Sequence, residues 1–300
     1  MRQLQLRLAR GYELLGEWVK ARDTGLEVIQ EIERDGGDRR TLAAAQSRTG
    51  FVQEELAQYM EAEKNLRSAL ANAIATLGEH HLQVAGIRLQ RVELFTNLGR
   101  YDEAQQELNE ATGIIKDWGP QGKMMMGTAL QQAAVLLIDQ NQAAQGLAAL
   151  QAALPDFGVG HAGSAQVGIA KAYARLGRIP EAIDVVRPAL SVVENEFGPG
   201  DPWIREIRVE LAGLLRLNRQ HDQAWAIVYG DPALNFDDLP VQHPFHALLL
   251  RERGLLEAEA HHPAQARAQL TESLAIYQSL FGRDAERTRE VEQDLKQLPL

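Results

Sequence analysis

The 300-residue chain has no cysteine. This excludes a disulfide framework and thiolate chemistry, and it suits a reducing compartment, so the expected location is the cytoplasm. Long apolar stretches are also missing. The longest, Ala133 to Ile138, is far too short to span a membrane. The opening MRQLQLRLAR has no continuous apolar core of the kind a signal peptide needs. An excess of positive charge is absent as well: the net charge is −10, which disfavours a general nucleic-acid-binding role, because such affinity rests on neutralising phosphates. No GxxxxGK[ST] loop, GxSxG elbow, HExxH helix or HRD-type kinase catalytic loop occurs. No catalytic residue is therefore assigned. The chain is expected to be non-enzymatic, with no cofactor and no membrane partner.

The chain does contain a repeat. With the alanine of LGRYDEA (Ala104) as reference, equivalent alanines stand in LGEWVKA (Ala21), LAQYMEA (Ala62), IDQNQAA (Ala144), LGRIPEA (Ala182), NRQHDQA (Ala224) and AHHPAQA (Ala266). The intervals are 41, 42, 40, 38, 42 and 42 residues. Twelve positions before these anchors stand Ala9, Gly50, Val92, Ala170, Ala212 and Gly254, with Gln132 beside Ala133 and Ala134 in the fourth repeat, where the register can slip. Small residues at fixed offsets mark the closest approach of two antiparallel helices. Larger side chains three residues on (Tyr12, Phe95, Tyr173, Leu215) fill the space beside each crossing. A glycine, often preceded by an aromatic or leucine, ends each unit, as in Leu77-Gly78, Trp118-Gly119 and Phe281-Gly282.

This pattern resembles the tetratricopeptide repeat. Its longer unit, with LGRYDEA and an LG or FG loop, is similar to the kinesin light chain type and to arrays in bacterial signalling proteins, including regions C-terminal to serine/threonine kinase domains. The resemblance implies an all-α, right-handed α-α superhelix of about seven helix-turn-helix repeats. The repeats are expected over residues 1–282, followed by a capping helix over 283–300 that uses a thin stripe of Thr288, Val291 and Leu295. The first helix carries Leu4, Leu8, Tyr12 and Leu15 on one face. It lacks the polar outer side of a terminal repeat, so either more chain upstream or a packing partner is expected there.

Other features attract a chemical reading and are better explained structurally. Met124-Met125-Met126 could form a soft or adaptable site, but methionine more often fills gaps between helices. The helix after it is so apolar that it is expected to be either the most buried helix or a ligand-facing patch. The pairs His80-His81 and His261-His262 point apart by spacing. His243 and His246, with Asp237 and Asp238 upstream, fall short of a converging set. No metal site is assigned. The segment Asp231 to Pro244 is read as a long surface loop with three prolines.

The resemblance implies that the first helix of each pair lines the inner groove. Those seven segments hold 13 Lys/Arg against 9 Asp/Glu, so a basic groove in an acidic shell is expected. The residues aimed into it are Arg7, Arg10, Arg48, Glu93, Asn97, Lys171, Arg175, Arg216 and Arg251. The expected function is a protein- or peptide-binding scaffold whose partner carries acidic groups. Snorkelling of these arginines over neighbouring helices is the competing reading. Two alternatives stay open: docking or sensing as the C-terminal part of a larger bacterial kinase, and self-association through the N-terminal helix.

Overall fold

The structure is a computed structural model that describes residues 2–154, 159–198, 201–234 and 239–298. One turn, used seven times, generates the fold. Its central residue is left-handed: Gly16, Ala57, Gly99, Asn141, Gly177, Arg219 and His261 all have φ between 58° and 73°. In six of these turns the next residue's N–H reaches back across five residues at 2.8 Å: Glu17 to Tyr12, Gln58 to Gln53, Arg100 to Phe95, Gln142 to Leu137, Gln220 to Leu215 and His262 to Glu257. This bond closes a Schellman motif, which satisfies a carbonyl that the helix end would otherwise leave unpaired. In these six turns the chain re-enters a helix at once, and the two helices that leave the turn pack against each other.

The described residues form fifteen α-helices and no strand. Two compact units are present, Met1–Leu176 and Gly177–Leu300. The first contains α1 (Arg2–Leu14), α2 (Trp18–Asp35), α3 (Arg39–Glu55), α4 (Tyr59–Leu77), α5 (Leu82–Asn97), α6 (Tyr101–Asp117), α7 (Lys123–Asp139), α8 (Ala143–Ala153) and α9 (Val159–Arg175). The second contains α10 (Ile179–Phe197), α11 (Pro202–Leu217), α12 (His221–Gly230), α13 (Pro244–Glu259), α14 (Pro263–Phe281) and α15 (Glu286–Gln297). Odd-numbered helices up to α13 are the first helices of their repeats and even-numbered ones the second.

The left-handed residues are 41, 42, 42, 36, 42 and 42 positions apart. This corrects the fourth anchor. Ala144 is exposed, whereas Gly146 is buried, and a Cβ on Gly146 would lie 2.7 Å from the Ala134 carbonyl. Gly146 therefore occupies the crossing, with Ala134 opposite it twelve residues earlier. The same offset joins Gly50 to Ala62 and Gly254 to Ala266. A Cβ on Gly50 would meet Leu66 Cγ at 2.8 Å and the Ala62 carbonyl at 3.3 Å; on Gly254, Leu270 Cγ at 2.8 Å and the Ala266 carbonyl at 3.2 Å. The alanine-rich stretch AAQGLAAL offers several equally small residues, which is why the anchor was misplaced. Asn141, a residue that tolerates the left-handed region, marked the true turn.

Entry into first helices uses a side-chain cap. Asp38, His81, Asp201 and His243 each accept an N–H from two residues on, at 2.9–3.1 Å. His81 and His243 do so through Nδ1, so these histidines cap helices. His246 turns its Nδ1–H to the Val241 carbonyl at 3.0 Å. Helix α7 is not the most buried helix: it buries Ala129, Ala134, Leu136 and Ile138, fewer than the ten buried residues of α11. Its glycine, alanines and glutamines contribute little apolar bulk, and Met124 is 77% exposed.

In the second unit α15 covers the end of the α13–α14 pair. Thr288 and Val291 are fully buried, and Val291 joins Ala247, Leu270 and Tyr277 in one core, with Leu295 packed alongside. The loop after α12 tucks in Leu234 and Leu239; Asp237 and Asp238 lie outside the described residues.

Candidate functional site

A cleft of about 480 Å³ opens in the first unit between α3 and α5, with Met125 of α7 at its edge. Small residues create it. Ala44 and Gly86 lie along its walls, and a Cβ on Gly86 would meet only Met125 Cε, at 3.7 Å. Phe51 supplies an aromatic wall, held by edge-on contact with Trp18 at 6.3 Å between ring centres. Ser47 and Gln90 supply a polar floor, with the serine hydroxyl donating to Gln90 Oε1 at 2.6 Å. Arg40, exposed at the start of α3, brings a positive charge, with the helix-capping carboxylate of Asp38 within its electrostatic reach. Ser47 is bonded to an amide rather than to a base, so it is not set up as a nucleophile. The cleft is a mostly apolar trough flanked by two arginines, Arg40 and Arg48, with one amide-hydroxyl pair on its floor.

Of the nine residues expected at a groove, Arg48 lines this cleft, and it and four of the others bridge neighbouring helices. Arg48 on α3 forms a bidentate pair with Glu13 on α1. Asn97 on α5 donates to Glu54 on α3 at 3.0 Å. Lys171 on α9 pairs with Asp139 on α7 at 2.8 Å. In the second unit, Arg216 on α11 reaches Glu252 and Glu259 on α13 at 3.0 and 2.9 Å. Arg251 on α13 in turn reaches Asp294 and Glu290 on α15 at 2.7 and 2.5 Å. First helices are thus bolted to one another by ion pairs and hydrogen bonds, and much of their positive charge is neutralised internally. Glu93 and Arg175 are exposed, and so are Arg7 and Arg10 on α1.

One buried carboxyl belongs to this network. Glu54 sits under α5, and burial pushes its pKa well above the usual carboxylate range, with the Glu93 charge adding to the effect and the Asn97 hydrogen bond opposing it. Sequence reading missed Arg40, Ala44, Phe51, Gly86 and Gln90. Their signal was position: they fall on exposed or half-buried flanks of first helices, where small residues are not required by the crossing. Met125 was singled out, and it does face the cleft. Among the described residues no three His, Asp or Glu side chains converge as a metal set, and no helix is long and apolar enough to cross a membrane. Asp156-Phe157-Gly158 spells the DFG triplet of kinases, but it has no HRD-type loop beside it and lies outside the described residues.

No protein-family model matches the chain, and a search of curated proteins finds no match. Solved structures do match. A tetratricopeptide repeat protein from Parabacteroides merdae aligns over 98% of this chain and 97% of its own, with a TM-score of 0.51 and 17% identity. A Rap protein complexed with competence and sporulation factor aligns over 99% and 97%, with a TM-score of 0.59 and 12% identity. Putative kinesin light chain repeats from Podospora anserina align over 65% of this chain and 95% of theirs, at 0.49 and 16%. With its seven left-handed turns, small-residue crossings and full-length match to such structures, the chain has the tetratricopeptide-repeat fold.

Proposed function

We propose that the chain is a non-catalytic binding module that takes a segment of another protein in the cleft between α3 and α5. The observation that carries this reading is the cleft itself: a preformed trough with Phe51 and Ile87 on its walls, a polar floor and the cation Arg40 at its rim. The Rap protein, alike in fold, was solved with a bound factor, which supports a ligand-holding role for such an array. The partner segment carries an acidic residue next to an apolar one to meet the exposed guanidinium of Arg40, whose neighbour Asp38 is engaged in capping α3. Lys171 and Arg175 form a second, weaker candidate for an acidic ligand: Lys171 would first have to leave Asp139.

Selection from a random displayed-peptide library tests this. Peptides with an Asp or Glu beside an apolar residue should be enriched on the wild-type chain. Gly86→Leu, which fills the cleft without touching a buried crossing, should weaken them at least tenfold and leave helicity unchanged. Equal binding by Gly86→Leu would remove the cleft from the account; loss on Lys171→Glu with Arg175→Glu instead would move the site to α9.

A further inference from the structure

Helix α1 presents to solvent a leucine stripe whose central positions the other first helices bury. Leu4 stands seventeen residues before its anchor and is 68% exposed. The residues at that offset in the other six repeats are Ala45, Ile87, Ala129, Ala165, Ile207 and Leu249, none more than 6% exposed. Leu8 is 49% exposed, against 2%, 5% and 6% for Thr49, Ile169 and Leu211 at the same offset, while Arg91, Ala133 and Arg253 there are half-buried. Gly11 has nothing within 4 Å of its Cβ direction, whereas its equivalents Val52, Leu94, Leu136, Ala172, Leu214 and Leu256 are all buried. Leu15, 73% exposed, extends the same stripe, since residues 4, 8, 11 and 15 share one helix face. Inside the array the Leu4 position is covered by a neighbouring second helix: Ala45 of α3, for example, packs on Val28, Ile29 and Ile32 of α2, whereas the Leu15 position is left open at Leu176 and Ala260 as well.

Charge identifies what fits. Arg7 and Arg10 flank the stripe, are exposed, and have no ion-pair partner among the described residues. Arg7 stands at the offset of Arg48 and Arg10 at that of Lys171. Those two cations reach Glu13 and Asp139, each in the last turn of the first helix before it. The face therefore pairs an uncovered leucine stripe with two cations at positions that elsewhere in the array hold a carboxylate. Two copies of α1 would bring four arginines together, so like charge opposes a symmetric pair. The acidic side chains Glu290 and Asp294 of α15 already bind Arg251, which opposes head-to-tail stacking through that helix.

We infer that the α1 face docks an acidic amphipathic helix of a partner protein, with the partner's apolar stripe covering Leu4, Leu8 and Leu15 and its carboxylates meeting Arg7 and Arg10. The helix-in-groove mode supplies the apolar energy, and the two arginines supply the charge preference.

The probe is a fluorescent twenty-residue helical peptide with Leu and Ala on one face and Glu beside that face, together with a twin carrying Lys in place of Glu. Fluorescence anisotropy with the full chain should show the Glu peptide binding at least tenfold tighter than the Lys twin, with the difference shrinking as salt is raised. Arg7→Glu with Arg10→Glu should reverse the order. Leu4→Gln with Leu8→Gln should weaken both peptides, and since both leucines are exposed, thermal melts of this variant should match the wild type. Absence of binding, equal binding of the twins, or binding untouched by either variant overturns the inference. So does sedimentation showing a concentration-dependent dimer that Leu4→Gln dissolves, because the face would then belong to a second copy.

Discussion

At Gly146 a single hydrogen decides whether a repeat closes. The virtual Cβ there falls 2.6 Å from Ile138 Cγ1 and 2.7 Å from the Ala134 carbonyl, and the carbonyl cannot rotate away. Gly146→Ala should therefore cost about 1–3 kcal/mol in urea unfolding, the scale of overpacking, while Ala144→Gln should stay within about 0.5 kcal/mol, as surface changes do. The reverse order would restore Ala144 as the anchor. Glu54 gives the second residue-scale test. Its pKa is raised by burial and by Glu93, so the native protein holds this proton more tightly than the unfolded chain does. Stability then falls as pH rises from the ordinary carboxylate range, near 4.3, through the raised value, and above that the penalty is complete. Glu54→Gln removes this titration. It should raise Tm at pH 8 by about 2–4 °C, the scale of ~1 kcal/mol in a domain of this size, and the gain should vanish at pH 4. A gain independent of pH would place the effect in packing rather than charge.

Between helices, the ion pairs that join successive first helices show how much was legible beforehand. The repeat, its turns and its small-residue crossings could be read from spacing because they obey local rules: a left-handed residue, a cap, a residue without bulk. The direction in which Arg216 or Arg251 points could not. The carboxylate that captures each lies about 40 residues away, two helices further along the chain. Offset counting sees a net excess of cations; it does not see Glu252 and Asp294 arriving beside them. The cleft was hidden for a related reason. Gly86 and Ala44 carry no chemistry by themselves, and their role appears only when α3 and α5 stand side by side. Arg216 and Glu252 have side chains that are each 10% exposed, so Arg216→Ala should cost about 2–4 kcal/mol by leaving a largely buried carboxylate unpaired. Replacing both with methionine should recover most of that in the same denaturation experiment. Failure of the double variant to recover would mean that the pair itself, and not the stranded charge, stabilises the α11–α13 contact.

For the molecule as a whole, a net charge of −10 coexists with a set of first helices rich in arginine, and the ion pairs between neighbouring helices reconcile the two. Each repeat touches its neighbours and little else, so binding surfaces arise where a crossing leaves a gap or where a face finds no neighbour. The α3–α5 cleft is the first kind and the α1 face the second. The most direct test of the binding role is hydrogen–deuterium exchange on the full chain, with and without a library-selected peptide. The account predicts slowed exchange concentrated in residues 40–55 of α3 and 82–97 of α5, with the helices of the second unit unchanged. Protection confined to α9 or to the second unit, with α3 and α5 exchanging as before, would contradict it.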